Sequence, residues 1–212
     1  MFNLDTGDAA DIDALLEEAD EIRRKQSLPG RNSDSEHQDD SWYSLGDRDA
    51  IEAIIQTTCE HHEDVALILV GVDNIRELNR DAGTHVGDLA MRRAAESIVR
   101  ACREAAGKSA EVYRFVGVEM AVVLRGEFVE KALTLAERIR AAVRLAPFAD
   151  ETIGMRAITA SIGVASTSSG GSGPQTHDEL LRAAMVALSE ARRTGGDSVA
   201  SCDDPDVEKI AA

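Results

Sequence analysis

The chain has few basic residues and few aromatic residues. Of its 212 residues, 39 are acidic and 23 are basic, which gives a formal charge of −16 with neutral histidines. Because phosphate groups bind to basic surfaces, this balance excludes nucleic acid as the default partner. Aromatic residues make up 3% of the chain and hydrophobic residues 43%. The composition therefore predicts a globular domain whose core consists of Ala, Val, Ile and Leu.

The chain also lacks a long hydrophobic run and a clustered set of cysteines. Its longest apolar run, Val65 to Val72, is far shorter than the roughly 20 residues that span a bilayer. The N-terminus shows no basic region followed by an apolar one. Three cysteines lie far apart, at Cys59, Cys102 and Cys202, which favours free thiols in a reducing compartment. We expect a cytoplasmic protein with no membrane span.

More than half of the excess acidity lies near the N-terminus. Residues 1–47 carry a net charge of −9, and residues 48–212 carry −7. Apolar side chains recur at helical spacing over residues 11–25, which predicts an N-terminal amphipathic helix within residues 1–27. This helix either docks on a partner protein or folds back on its own domain. Residues 28–46 are rich in Pro, Gly, Ser and Asp, which predicts a flexible acidic linker.

Helix and strand patterns alternate over residues 47–201, which predicts one folded domain, and residues 202–212 form an acidic C-terminal tail. Predicted helices cover 47–62, 89–105 with Asp88 as N-cap, 128–145 and 178–194. Predicted strands cover 65–72, 111–115, 119–124, 157–165 and 198–201. The second and third strands are close enough to form a β-hairpin. A hairpin within an alternating pattern indicates a mixed central sheet flanked by helices, an α/β (α+β) sandwich.

Four segments of this region stand in a characteristic order and spacing. They are VDNIRELNRDAGTHVGD from Val72 to Asp88, RFVGVEM from Arg114 to Met120, TASIGVA from Thr159 to Ala165 and ALSEARRTGGDSV from Ala187 to Val199. Together they resemble the GGDEF family, the diguanylate cyclase domains that condense two GTP molecules into cyclic di-GMP. The resemblance implies the palm-like fold of nucleotide cyclases and a place in bacterial cyclic di-GMP signalling.

The resemblance also implies that catalytic groups are missing. In the family two carboxylates hold divalent ions, and the matching positions here are Gly71 and Val118. The degenerate signature reads Val116, Gly117, Val118, Glu119 and Met120. Asp73 is displaced from Gly71 by about 6.6 Å along the strand, and Glu119 should point to the face opposite Val118, so neither restores the pair. We expect no catalytic residue, no metal site and no cofactor, with Mg²⁺ relevant only to residual activity.

Four positions of the family's nucleotide site keep suitable residues. Asn79 and Asp88 match the pair that reads guanine, whereas Arg76 and Arg192 stand where the family has phosphate-contacting lysines. Three of them also have a structural interpretation. Asp88 could cap a helix, Asn79 could bond its own backbone at a helix end, and Arg192 could be a solvated cation.

The sequence therefore predicts a catalytically inactive GGDEF-like domain, a pseudo-enzyme with a regulatory or binding role in cyclic di-GMP or GTP-related signalling. Its expected partners are a guanine nucleotide and a protein bound through residues 11–25 or the domain surface. A homodimer, or a heterodimer with another GGDEF protein, is also open. Two alternatives remain: a protein-interaction module that binds no nucleotide, and a diguanylate cyclase with residual activity through a metal site shifted to Asp73 and Glu119.

Overall fold

The computed structural model describes residues 45–61, 63–117, 119–151, 153–167 and 174–202. The predicted N-terminal helix lies outside these residues, as do most of the predicted linker and nearly all of the predicted C-terminal tail. The last residue of the predicted linker, Gly46, forms a parallel bridge with Tyr113. Its carbonyl oxygen also accepts a hydrogen bond from the amide of Arg114, with the two atoms 2.8 Å apart.

Helices and strands alternate along the described residues. The helices are α1 (Arg48–Glu60), α2 (Ile75–Ala82), α3 (Thr84–Ala106), α4 (Ala132–Arg144) and α5 (His177–Arg193). The strands are β1 (Val65–Val72), β2 (Ala110–Arg114), β3 (Glu119–Arg125), β4 (Phe148–Asp150), β5 (Gly154–Arg156), β6 (Ala160–Ser166) and β7 (Val199–Ser201). Short 3₁₀ turns, Gly107–Ser109 and Gly126–Lys131, precede β2 and α4. None of the helices in the described ranges is long and apolar enough to cross a membrane.

Five of the strands form a mixed sheet in the order β2-β3-β1-β6-β7. Strand β1 is central and runs antiparallel to both β3 and β6. Strands β2 and β3 form the predicted hairpin, and β7 runs parallel to β6. Strands β4 and β5 form a separate antiparallel pair. The mixed sheet and its flanking helices confirm the predicted fold class.

The two faces of the sheet bury alternate side chains of β1, because successive residues of a strand point to opposite sides. Ile68 and Val70 belong to a core shared with α2, α3 and α4. Leu67 and Leu69 belong to a second core shared with α1 and α5. By the same alternation, Gly71 faces the side of α1 and α5.

Helix α5 lies unusually close to the sheet, and a glycine of β6 permits the approach. A Cβ atom added at Gly163 would lie 2.8 Å from the Cα of Leu188 and would also meet the carbonyl oxygen of Ala184. Both are backbone atoms of α5. The helix therefore rests its backbone on β6, which fixes the position of its last turn relative to β1.

Several predicted boundaries were wrong. Helix α3 begins at Thr84, with Gly83 at its N-cap and a φ of 91°. Asp88 therefore lies inside the helix and is not its N-cap. Helix α4 begins at Ala132 because the residues before it form a 3₁₀ turn. Strand β6 begins at Ala160. The β4–β5 pair was not predicted, because strands of three residues are too short to display a periodic pattern.

Ionisation of Cys102 should lower stability in alkaline solution. The residue is buried in α3, and burial raises the pKa of its thiol to about 12. An unfolded cysteine has a pKa of about 8.5. Above this pH the unfolded chain loses a proton that the folded chain keeps. The free energy of unfolding then falls as pH rises from about 9 towards 12.

Urea denaturation of the reduced protein at pH 8 and pH 10.5 checks this expectation. The decrease between the two pH values should be about 1–2 kcal/mol smaller in Cys102→Ala than in the wild type. Cys59→Ala is the matched control, because Cys59 is only partly buried and should change the decrease less. Equal decreases in the wild type and Cys102→Ala would contradict the assignment.

Candidate functional site

The carboxyl end of β1 brings three strands together beneath α5. Gly71 lies opposite Glu119 on β3 and opposite Ser161 on β6. Residues directly opposite each other in antiparallel strands point to the same face. The Cα of Gly71 and the side chains of Glu119 and Ser161 thus share the face that α5 covers.

The guanidinium of Arg192 fills the space beside Gly71. Arg192 belongs to the last turn of α5, and its Nη1 atom lies 2.8 Å from Oε1 of Glu119. A Cβ atom added at Gly71 would lie 2.9 Å from Cζ of Arg192 and would overlap its Nη2 atom. The side chain of Arg192 is 40% exposed and that of Glu119 is 19% exposed. The guanidinium of Arg192 therefore occupies the space that a side chain at position 71 would fill. Part of the Arg192 side chain remains open to solvent.

The ion pair bears on two expectations from the sequence. Glu119 was expected to point to the face opposite Val118, which lies outside the described residues; its register with Gly71 sets it on the face that α5 covers. Arg192 is not a freely solvated helix-end cation, since it pairs with Glu119. Its neighbour Arg193 is also engaged, donating two hydrogen bonds of 2.7 and 2.6 Å to the buried carboxylate of Glu190.

Asp73 is held by hydrogen bonds rather than presented to a ligand. One carboxylate oxygen accepts from the hydroxyl of Ser161 at 2.7 Å, and the other accepts from the hydroxyl of Thr159 at 2.7 Å. The second oxygen also accepts from the amide of Asp197 at 3.1 Å. Asp73 therefore ties the turn after α5 to the end of β1.

The same turn is anchored from its other side by α4. Asp197 has a positive φ of 46°. Its two carboxylate oxygens accept hydrogen bonds from Arg140 and Arg144, each at 3.0 Å. The pKa of Arg140 is raised, mainly by its hydrogen bond to Glu137 and also by Asp197. The turn that follows Arg192 is thus fixed by charged groups on two sides.

The residues at this end of the sheet do not fit a divalent cation. Gly71 and Val118 carry no side-chain oxygen, and Asp73 and Glu119 are already engaged by protein donors. Magnesium and calcium prefer sites with several oxygen ligands, usually including free carboxylates. Among the residues whose placement is described, no group of three or more His, Cys, Asp or Glu side chains could hold a metal ion.

The segment between β2 and β3 closes a turn at residues 116–119. The carbonyl oxygen of Val116 accepts from the amide of Glu119 at 2.8 Å, and Gly117 has a φ of 54°. The side chain of Val116 packs against the core on the α1 and α5 side, whereas Met120 is fully buried on the other side. Val118 lies outside the described residues. The described signature residues, Glu119 apart, thus contribute to packing and to the turn.

The structure brings Asn79 and Asp88 to adjacent positions. A Cβ atom added at Gly87 would lie 2.7 Å from Cγ of Asn79, so the Asn79 amide of α2 packs directly on α3 one residue before Asp88. The Asn79 Oδ1 atom is buried and has no hydrogen-bond partner among the described residues. Asp88 is exposed. The helix-end interpretation of Asn79 is therefore wrong for its side-chain oxygen.

Leaving a buried oxygen without a partner costs about 1–3 kcal/mol, so Asn79 is an unsatisfied polar group in the contact between α2 and α3. Arg76 lies in the first turn of α2 and is exposed. Because α2 follows shortly after β1, this cation lies on the same loop-to-helix segment as Asp73. The sequence proposed Asn79, Asp88, Arg76 and Arg192 as candidate nucleotide-binding residues, but it did not predict the contact of Arg192 with Glu119 and Gly71.

Comparison with known proteins identifies the kind of domain. The family described as "Diguanylate cyclase, GGDEF domain" matches residues 45–198. Diguanylate cyclase VdcA of Vibrio cholerae is 28% identical over 162 residues, which cover 76% of this chain and 45% of VdcA. The chain thus spans about half the length of this curated relative.

Solved structures have the same fold. The GGDEF domain of PA1120 (TpbB or YfiN) from Pseudomonas aeruginosa superimposes with a TM-score of 0.69 at 26% identity, covering 82% of this chain and 100% of that one. The coiled coil and GGDEF domain of DgcB from Caulobacter crescentus, in complex with c-di-GMP, superimposes with a TM-score of 0.65. Its identity is 23%, and the match covers 91% of this chain and 94% of that one. At this identity the DgcB match shows the fold alone.

Two glycines on the same sheet face should respond differently to an added methyl group. In Gly71→Ala the obstacle is the end of a flexible arginine side chain, so the cost should stay below about 1 kcal/mol. In Gly163→Ala the obstacle is the backbone of α5, and overpacking of this kind costs about 1–3 kcal/mol or more. Urea denaturation at neutral pH measures both. A larger loss in Gly71→Ala than in Gly163→Ala would contradict these contacts.

Proposed function

The chain belongs to the GGDEF family of domains, and from this premise we propose that it is a catalytically inactive member that binds a guanine nucleotide. Its role in GTP or cyclic di-GMP signalling is then regulation through binding and not turnover. The observation that carries the proposal is the guanidinium of Arg192 in the space beside Gly71, paired with Glu119.

Loss of the metal ligands should remove most of the catalytic power. A divalent ion stabilises charge in a phosphoryl transition state by several kcal/mol. Each decrease of about 1.4 kcal/mol in the activation free energy raises the rate tenfold. The two ligand positions hold Gly71 and Val118. A site shifted to Asp73 and Glu119 would have to break the hydrogen bonds of the first and the ion pair of the second. These contacts favour the inactive alternative over residual cyclase activity.

The neighbouring Asn79 and Asp88 support nucleotide binding. Guanine presents two adjacent N–H donors on its base-pairing edge, and a carboxylate can accept both. Asp88 is exposed, and Asn79 packs on Gly87, the residue before it, with an oxygen that has no partner among the described residues. The diguanylate cyclase name of VdcA supports a guanine ligand.

The signal would pass from the nucleotide to a protein partner. Residues 11–25 and the surface of the domain are the two candidate contacts for such a partner. A homodimer or a heterodimer with an active relative would use the domain surface. The alternative of a pure interaction module differs in one measurable respect, since it binds no nucleotide.

The purified chain of residues 1–212, incubated with GTP and MgCl₂ or MnCl₂, should form no cyclic di-GMP when the products are separated by chromatography. An active GGDEF cyclase assayed in parallel is the control. We expect a rate at least about a thousandfold below that control, because several kcal/mol of metal-assisted stabilisation are missing. Product formation that disappears in Glu119→Gln would instead establish a shifted catalytic site.

Asn79→Ala should separate binding from stability. Removal of a buried oxygen that lacks a partner should leave the thermal midpoint unchanged or raise it, while GTP binding measured by calorimetry should weaken. Asp88→Ala should weaken GTP binding about tenfold or more, because hydrogen bonds to charged groups contribute roughly 1.5–3 kcal/mol.

Asp81→Ala is the matched control for these variants, since Asp81 is an exposed carboxylate at the end of α2 that pairs with Arg80. It should bind GTP as the wild type does. A lower thermal midpoint in Asn79→Ala together with unchanged GTP binding would point to a purely structural role. Absence of GTP, GDP and cyclic di-GMP binding in the wild type would favour the interaction module.

A further inference from the structure

We propose that Arg192 takes the place of the divalent cation in this domain, so that the guanine nucleotide is held at its phosphates by the guanidinium and binds without a metal. This inference rests on the proposed function, because it concerns how the same nucleotide is bound. It specifies the ligand as a phosphorylated guanosine in its metal-free form.

The guanidinium has the geometry and the spare donors for this task. Arginine carries five N–H donors in a planar fork that matches pairs of phosphate oxygens. The pair with Glu119 uses Nη1, and 40% of the side chain remains exposed. Arg192 can therefore keep its carboxylate partner and still donate to a phosphate from the open side.

The charge of the site is also suited to a fixed cation. A glycine and a valine stand at the two ligand positions, so a dication would find neither of its carboxylates. The negative charge of Glu119 is already matched by Arg192. The carboxylate of Asp73 is directed at two hydroxyls and an amide. A divalent ion placed here would meet the positive guanidinium and too few free ligands.

The position of Arg192 is fixed by the fold and not by the ion pair alone. The backbone of α5 rests on β6 at Gly163. The turn that follows Arg192 is held by Asp73 on one side and by Arg140 on the other, both through Asp197. Gly71 leaves the space that the guanidinium enters. The guanidinium can therefore occupy this space because Gly71 has no side chain.

Calorimetric titration of the full chain with GTP in two buffers tests the inference. One buffer contains EDTA to remove divalent metal ions, and the other contains MgCl₂ in excess over GTP. We expect dissociation constants that agree within about threefold, because the protein supplies the cation itself. GMP should also bind in EDTA, and guanosine should bind at least about tenfold more weakly than GMP, since it offers no phosphate to Arg192.

Three arginine variants complete the experiment. Arg192→Gln should weaken GTP binding in EDTA about tenfold or more, whereas Arg192→Lys, which keeps the charge, should retain most of it. Arg182→Gln is the matched control, because Arg182 is an exposed arginine of the same helix, ten residues before Arg192. It should bind GTP as the wild type does. Circular dichroism of each variant verifies that it is folded.

The possible outcomes separate this inference from the proposed function. GTP binding in MgCl₂ that is lost in EDTA would overturn the inference and keep the nucleotide-binding function. Binding in EDTA that is unchanged in folded Arg192→Gln would also overturn it. Absence of binding to GTP, GMP and guanosine in both buffers would overturn the proposed function and the inference together. Equal binding in both buffers with loss in Arg192→Gln supports both.

Discussion

The contact of the α5 backbone with strand β6 is the constraint on which the site depends. At Gly163 nothing larger than hydrogen fits between the sheet and the helix. The close approach holds the end of α5 over the end of β1. From there an arginine side chain can reach Gly71 on the neighbouring strand. A helix held farther away by an alanine or valine at this position would carry Arg192 away from Glu119. The chemistry at the end of the sheet is thus set by packing several residues away.

The acidic residues near this contact have separate roles. Asp73 and Asp197 fix the turn after α5, and Glu190 secures Arg193 at the end of the helix. Glu119 neutralises the guanidinium of Arg192, part of which is open to solvent. The formal charge of −16 therefore says little about metal binding here, because the carboxylates close to the site are engaged by hydrogen-bond donors. Asp88, which is exposed and has no donor among the residues the structure describes, is available to a ligand.

Much of the fold could be predicted from the sequence, because it depends on local patterns. The apolar run of β1, the strand pair on either side of Gly117 and the helical spacing of α5 each leave a recognisable pattern. The start of α3 was misplaced because Asp88 before an apolar segment resembles an N-cap, whereas the helix in fact follows Gly83. The sequence did not predict that Glu119 shares a face with Gly71, because this depends on the register between β3 and β1. Register is a property of paired strands, and alternation counted along one strand cannot supply it.

The contact between Arg192 and Gly71 lies beyond sequence reasoning for a similar reason. Its two residues are far apart in the chain, and only the approach of α5 at Gly163 brings them together. The sequence did contain an indication of that approach, since Gly71 and Gly163 leave two positions without a side chain on the face of the sheet that α5 covers. Two glycines on one face of adjacent strands indicate a close backbone or an inserted side chain. The structure contains one of each.

The two halves of the proposed nucleotide site differ in how well their polar groups are satisfied without a ligand. At the phosphate end Arg192 and Glu119 already pair, so binding there adds contacts to a group that is stable on its own. At the base end the Asn79 oxygen is buried without a partner among the described residues, whereas the Asp88 carboxylate is exposed to water. Discrimination between nucleotides should come from the base, because Asp88 can accept from both adjacent donors of guanine. A purine that lacks these donors would lose both hydrogen bonds to Asp88, whereas the loss of one phosphate would leave the pair of Arg192 and Glu119 intact.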